Sequence, residues 1–134
     1  MTPFNRARLA AVIRAYVPST LPEVLAWYST GQIPAGTHIN GVTSALREQH
    51  PDADEEELEF LATKAAQEVS TMAAMTTGQR RATLAVDVAP ADVAAADPGI
   101  TSMTLCADVP RAAWAALFVD DLQWYAVDEI PHLR

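Results

Sequence analysis

The residues best placed to do chemistry are few. In Ile13-Arg14-Ala15-Tyr16-Val17 the alternation of a strand puts Arg14 and Tyr16 on one face and Ile13, Ala15 and Val17 on the other. With Arg47, they are the best candidates for a polar pocket: Arg47 to pair a carboxylate, Tyr16 to donate its hydroxyl. The plainer assignment has Arg47 paired to a nearby acidic helix start and Tyr16 half-buried. It is preferred, because arginine is often a structural ion-pair partner.

That acidic run, from Asp52 to Glu59, is the most visible cluster. Asp54, Glu55, Glu56, Glu57 and Glu59 could form an interaction surface that binds a cation or imitates nucleic acid for a basic partner. Carboxylates in a first helical turn also answer free amides and the helix dipole, and that structural role is expected to dominate. The D-x-D-x-D-G spacing of a calcium loop is absent. Asp87, Asp108, Asp120, Asp121 and Asp128 fall near expected strand ends. Gathered together, two of them could form an acid–base pair or hold Mg²⁺, but aspartate is the ordinary turn residue.

His38, His50 and His132 lack metal-ligand spacing. Cys106 is read as a small buried hydrophobe on a strand. There is no G-x-G-x-x-G, P-loop or G-x-S-x-G sequence. No catalytic residue, metal ligand or cofactor is therefore assigned.

Charge narrows the partners. Seventeen acids against nine bases leave a net charge of −8. Lys64 is the one lysine, and the arginines are scattered. Binding to nucleic acid or to an anionic membrane is not expected. One cysteine excludes an internal disulfide, and neither a secretory leader nor a membrane span is legible, so a cytoplasmic setting is expected. An unidentified protein partner, favoured if basic, fits this field, and a homodimer is allowed.

The elements that must position these residues are legible in outline. A strand over 13–17 should end at Pro18. A helix over 21–30 should start at a Thr20/Glu23 capping box, and Gly31 should close it. Residues 32–41 read as a loop. A short helix capped by Thr43 precedes His50-Pro51. The longest helix, about 53–76, carries the stripe Leu58, Leu61, Ala62, Ala65, Val69, Met72 and Met75.

Strands follow at 82–88 and 100–107. Residues 110–116 read as a helix carrying Trp114, and strands follow at 117–119 and 122–127. Two segments, Val86 to Pro90 and Ala107 to Pro110, echo each other as strands leading into proline-started helices. The order is that of a ferredoxin-like βαββαβ sandwich, an α+β fold. It would have extra helices in the first crossover and an added C-terminal strand. Helices 21–30 and 53–76 should then cover one sheet face.

The segment 13–21, Ile-Arg-Ala-Tyr-Val-Pro-Ser-Thr-Leu, resembles the R-x-Y-V-P-x-T-L opening of an uncharacterised actinobacterial family of small proteins, a domain of unknown function. Val42 to Glu48 resembles that family's V-T-x-A-L-R-E. Asp54 to Glu59 resembles its D-E-E-E-L-E, and Val119-Asp120-Asp121 with Trp124-Tyr125 its V-D-D and W-Y. Here only Leu122 and Gln123 stand where the family carries a longer insert. The resemblance implies no catalytic residue.

The expected organisation is an arm over 1–12, one α+β domain over 13–130 and a tail over 131–134. Residues 1–11 should add nothing to the core, and Val12 is what an internal GTG start codon would be read as. The function expected is that of a small acidic, non-enzymatic protein-interaction module. The alternative is a small enzyme or small-molecule binder using Arg14, Tyr16, Arg47 and the strand-end aspartates.

Overall fold

The computed structural model describes residues 12–96, 99–120 and 123–133. Residues 1–11 of the expected arm, Asp121 and Leu122 lie outside the described residues.

Strand β1 (Ile13–Thr20) runs past Pro18 instead of ending there. Its pairing with β3 (His38–Gly41) covers Ala15 and Tyr16 and stops, so the missing N–H of Pro18 faces no strand on that side. Helix α1 (Leu21–Thr30) follows directly. The Thr20 side chain makes no cap there. Instead the Leu21 N–H donates to the Arg80 carbonyl at 2.8 Å, and the Ser19 hydroxyl donates to Glu23 at 2.5 Å. Gly31, at φ 87°, closes the helix as expected.

The expected loop at 32–41 contains two strands. Strand β2 (Gln32–Ile33) pairs with β7 (Val109–Pro110), and β3 pairs with β1 and with β6 (Ser102–Leu105). Ile33 and Ile39 are fully buried, and their burial outweighs the turn signals around them. Helix α2 (Ser44–Gln49) is capped by Thr43, which accepts from the Leu46 N–H at 3.1 Å.

Helix α3 (Glu55–Thr77) starts at a reciprocal capping box, with Asp54 accepting from the Glu57 amide and Glu57 from the Asp54 amide. Its inward line is Leu58, Ala62, Ala66 and Ser70 at i, i+4 spacing. The expected stripe is therefore rotated: Leu61 and Ala65 are half-buried, while Met72 and Met75 are 63% and 75% exposed. The physical reason is size. Ala62 and Ala66 allow the helix to lie close on the sheet, so the bulky apolar side chains fall on its flank.

Strand β4 (Arg81–Val88) pairs antiparallel with β1 along its whole length and with β8 (Trp114–Val119) on its other side. Strands β5 (Val93–Ala95) and β9 (Gln123–Tyr125) form the edges, giving the order β5-β6-β3-β1-β4-β8-β9. The α+β class stands, with an antiparallel sheet, but the strand arrangement is not that of the βαββαβ sandwich. There the strands at 13–17 and 82–88 would run parallel with another strand between them. Here they are direct antiparallel neighbours, so the handedness rule for parallel crossovers does not govern the connection.

Consequently α1 and α3 lie on opposite faces, not on one. Leu21 and Val24 of α1 pack with Val17, Leu84, Val86, Leu117, Val119 and Ile130. Ala62 and Ala66 of α3 pack with Tyr16 and Ala85.

No helix forms over 110–116. Arg111–Ala113 is one 3-10 turn, and Trp114 opens β8 with a bulge opposite Ala85/Val86. The two echoing segments share this plan: each leads through a 3-10 turn (Pro90–Asp92 or Arg111–Ala113) into a strand. Cys106 lies beyond the end of β6 and is exposed, not buried. A last 3-10 turn, Val127–His132, crosses the expected boundary at residue 130 and buries Ile130 completely. Among the described residues no helix is long and apolar enough to cross a membrane.

Candidate functional site

Arg14, Tyr16 and Arg47 do converge, at the end of the α3-facing surface where β1 begins. Strand register places Arg14 opposite Asp87, and the guanidinium meets that carboxylate at 2.7 Å through Nε. The bond to Asp87 raises the Arg14 pKa above its ordinary value. Tyr16 is buried under α3 and donates its hydroxyl to Glu59 Oε1 at 2.6 Å. Burial first, and then this bond, push the phenol up to about 12. Arg47 on α2 pairs with Glu55 in the first turn of α3, and its bond holds the Glu55 carboxyl below the usual range. A cleft of about 190 Å³ lies between Arg14, Arg47, Glu55 and Glu59.

The arrangement is an internally paired network. Two guanidinium groups meet two carboxylates, and the one phenol spends its proton on a third. Each cation already faces a carboxylate of the chain itself. Among the described residues, Asp87, Asp108 and Asp120 each meet a different partner. Asp87 joins Arg14, while Asp108 accepts from the Ala35 amide at 2.8 Å and from Gln32 at 3.1 Å. Asp120, at φ 51°, caps the turn after β8 and meets Arg80 at 2.7 Å. Among the described residues no three His, Cys, Asp or Glu side chains are grouped to hold a metal ion.

Four of the five acids at the α3 start have structural partners: Asp54 and Glu57 each other's backbone, Glu55 Arg47, and Glu59 Tyr16. Glu56 is exposed and, among the described residues, meets none.

Two residues escaped the sequence reading. Phe60 is 65% exposed on α3, beside Glu56, Glu57, Leu61 and His50, which line a cleft of about 490 Å³. Its signal was an aromatic residue off the apolar stripe. Asn40 falls within the expected loop at 32–41 but stands on β3, only 2% exposed. Its Nδ2 donates to Thr101 Oγ1 at 2.8 Å, while its Oδ1 has no partner. An unpaired buried acceptor of this kind costs about 1–3 kcal/mol.

No curated protein and no solved structure matches the chain significantly. The pattern of one family does match, across residues 13–123, from the first residue of β1 to the first of β9. The span takes in the Arg14–Tyr16–Arg47 network and the whole of α3, so by this match the chain belongs to a family of unknown function (DUF6912).

Proposed function

We propose that the protein is a non-enzymatic interaction module that docks a basic segment on the first two turns of α3. The observation carrying this reading is Phe60, a large aromatic side chain left in solvent among carboxylates. An exposed aromatic anchor with a charged surround suits a partner that brings an apolar side chain flanked by Lys or Arg. The net charge of −8 favours such a partner and opposes self-association through the same acidic patch. The sheet edges are weaker docking candidates, because β5 and β9 are three residues each and short edges blunt strand addition. The pairing of Arg14 and Arg47 tells against the alternative of a small enzyme or binder built on them. A cytoplasmic setting and an actinobacterial range for the family belong to the same proposal.

A pull-down from native lysate should compare the wild-type chain with Phe60→Ala and Glu56→Gln, at low and high salt. A partner held by the wild type, released by salt and lost with Phe60→Ala is expected. A partner retained equally by all three proteins in high salt would overturn the assignment.

A further inference from the structure

A third cleft, of about 280 Å³, lies on the α3 side of the sheet between the flank of the helix and the β3–β6 pair. Its floor comes from the strands. The register pairs Asn40 with Tyr16 on one side and with Ser102 on the other, and His38 lies two residues along on the same face. Its wall is the flank of α3, where Ala65, Val69 and Met72 give an apolar surface and Glu68 a carboxylate. Asn40 lines this cleft, and it carries the one buried side-chain polar atom without a partner among the described residues.

Two acceptors stand at the cleft. Asn40 gives one N–H to Thr101, while its Oδ1 has no partner. Glu68 contributes two carboxylate oxygens, and the Ser102 hydroxyl, which accepts from the Gly99 amide, keeps its own proton to donate. A ligand that satisfies Asn40 Oδ1 and Glu68 must donate. It must also be small, since the cleft falls just below the roughly 300–1,000 Å³ of drug-sized sites. It must carry apolar surface to cover Val69 and Met72. The negative field of the chain selects a cation among such donors.

We infer that the cleft between α3 and the β3–β6 pair binds a small amine with a short apolar body, its N–H donated to Asn40 Oδ1 and its charge facing Glu68. Met72, unbranched and mostly exposed, is the side chain that yields to admit it. The site is separate from the Phe60 surface and does not depend on that reading.

Benzylamine, with benzyl alcohol as its uncharged counterpart, tests this by titration against the full chain in two-dimensional amide NMR. The expected result is a saturable benzylamine shift of the Asn40 side-chain NH₂ signal and of the Ala65, Val69 and Ser102 amides, with weaker binding of the alcohol. Glu68→Gln, an exposed change, should weaken benzylamine about threefold, as expected for an exposed ion pair, and leave the alcohol unchanged. Val69→Trp should fill the cleft and abolish both. Absence of saturable shifts at millimolar amine overturns the inference. So do equal affinities for amine and alcohol, shifts confined to the first turns of α3, or retained binding in a folded Val69→Trp variant.

Discussion

The two faces of the sheet are built on different physics. On the α1 face, Val17, Leu84, Val86, Leu117, Val119 and Ile130 form a continuous apolar layer with Leu21 and Val24. On the α3 face the interior is small and polar: Ala62, Ala66 and Ala85 stand beside Tyr16, Ser70, Thr83 and Asn40. The first face gains its stability from area removed from water. The second depends on hydrogen bonds that are each worth little when made and are costly when broken. The clefts at Arg14 and at Asn40, the Tyr16–Glu59 bond and the orphaned Asn40 oxygen lie on the α3 side. The α1 face thus supplies the larger apolar layer, and the α3 face the Tyr16–Glu59 bond and the unpaired Asn40 oxygen.

That contrast can be broken most decisively in the apolar layer. Leu84→Ala should cost about 2–5 kcal/mol in urea denaturation, as expected for a fully buried leucine. Ile130→Ala should fall in the same range of about 2–5 kcal/mol, because the C-terminal 3-10 turn is part of this layer. A loss near zero for Ile130→Ala would remove that turn from the core.

Next in size is Ser70, fully buried on α3, whose hydroxyl donates to the Ser19 carbonyl at 2.6 Å and accepts from the Ala82 amide at 3.1 Å. Ser70→Ala removes both hydrogen bonds and should cost about 0.5–1.5 kcal/mol for each in the same measurement. If Ser70→Ala were neutral, the polar account of this face would fail.

A third test uses pH. The Tyr16 phenol holds its proton to about 12 in the folded chain, against 10.0 ordinarily. A group whose pKa is raised by folding contributes fully below its unfolded value. Its contribution is then lost as pH rises through the folded one. Stability should therefore fall between pH 10 and about 12, and Tyr16→Phe should remove that component of the fall. The difference in phenolate absorbance between the wild type and Tyr16→Phe, followed against pH, gives the pKa, and a Tyr16 titration at 10.0 would show that the burial and the Glu59 bond do not act on it. The smallest effect belongs to Glu56→Gln, exposed and without a partner among the described residues, which should shift stability by no more than about 0.5 kcal/mol.

Local signals in the sequence located much of this architecture. The caps at Thr43 and Gly31, the helix spans near 21–30 and 55–77, and the strand at 81–88 follow from short-range patterns. Choices made by tertiary packing were not legible. Which line of α3 faces inward depended on how close the helix could approach, and alanine hides that in a hydrophobicity pattern. Strands β2 and β3 have two and four residues and take their conformation from partners distant in sequence. The convergence of Arg14, Tyr16 and Arg47 could be anticipated, because strand alternation and the acidic helix start both pointed there. Asn40 could not, because its interest lies in a bond it fails to make.

The Ser70 bridge has a kinetic consequence. The Ala82 amide, opposite Ser19 in the β1–β4 ladder, also donates to this helix hydroxyl. When α3 lifts from the sheet that amide loses part of its protection, while amides deeper in β4 keep theirs until the whole chain opens. Hydrogen exchange at Ala82, read against exchange at Leu84, therefore distinguishes a detaching helix from an unfolding protein. One hydroxyl makes the opening of this layer visible as a rate.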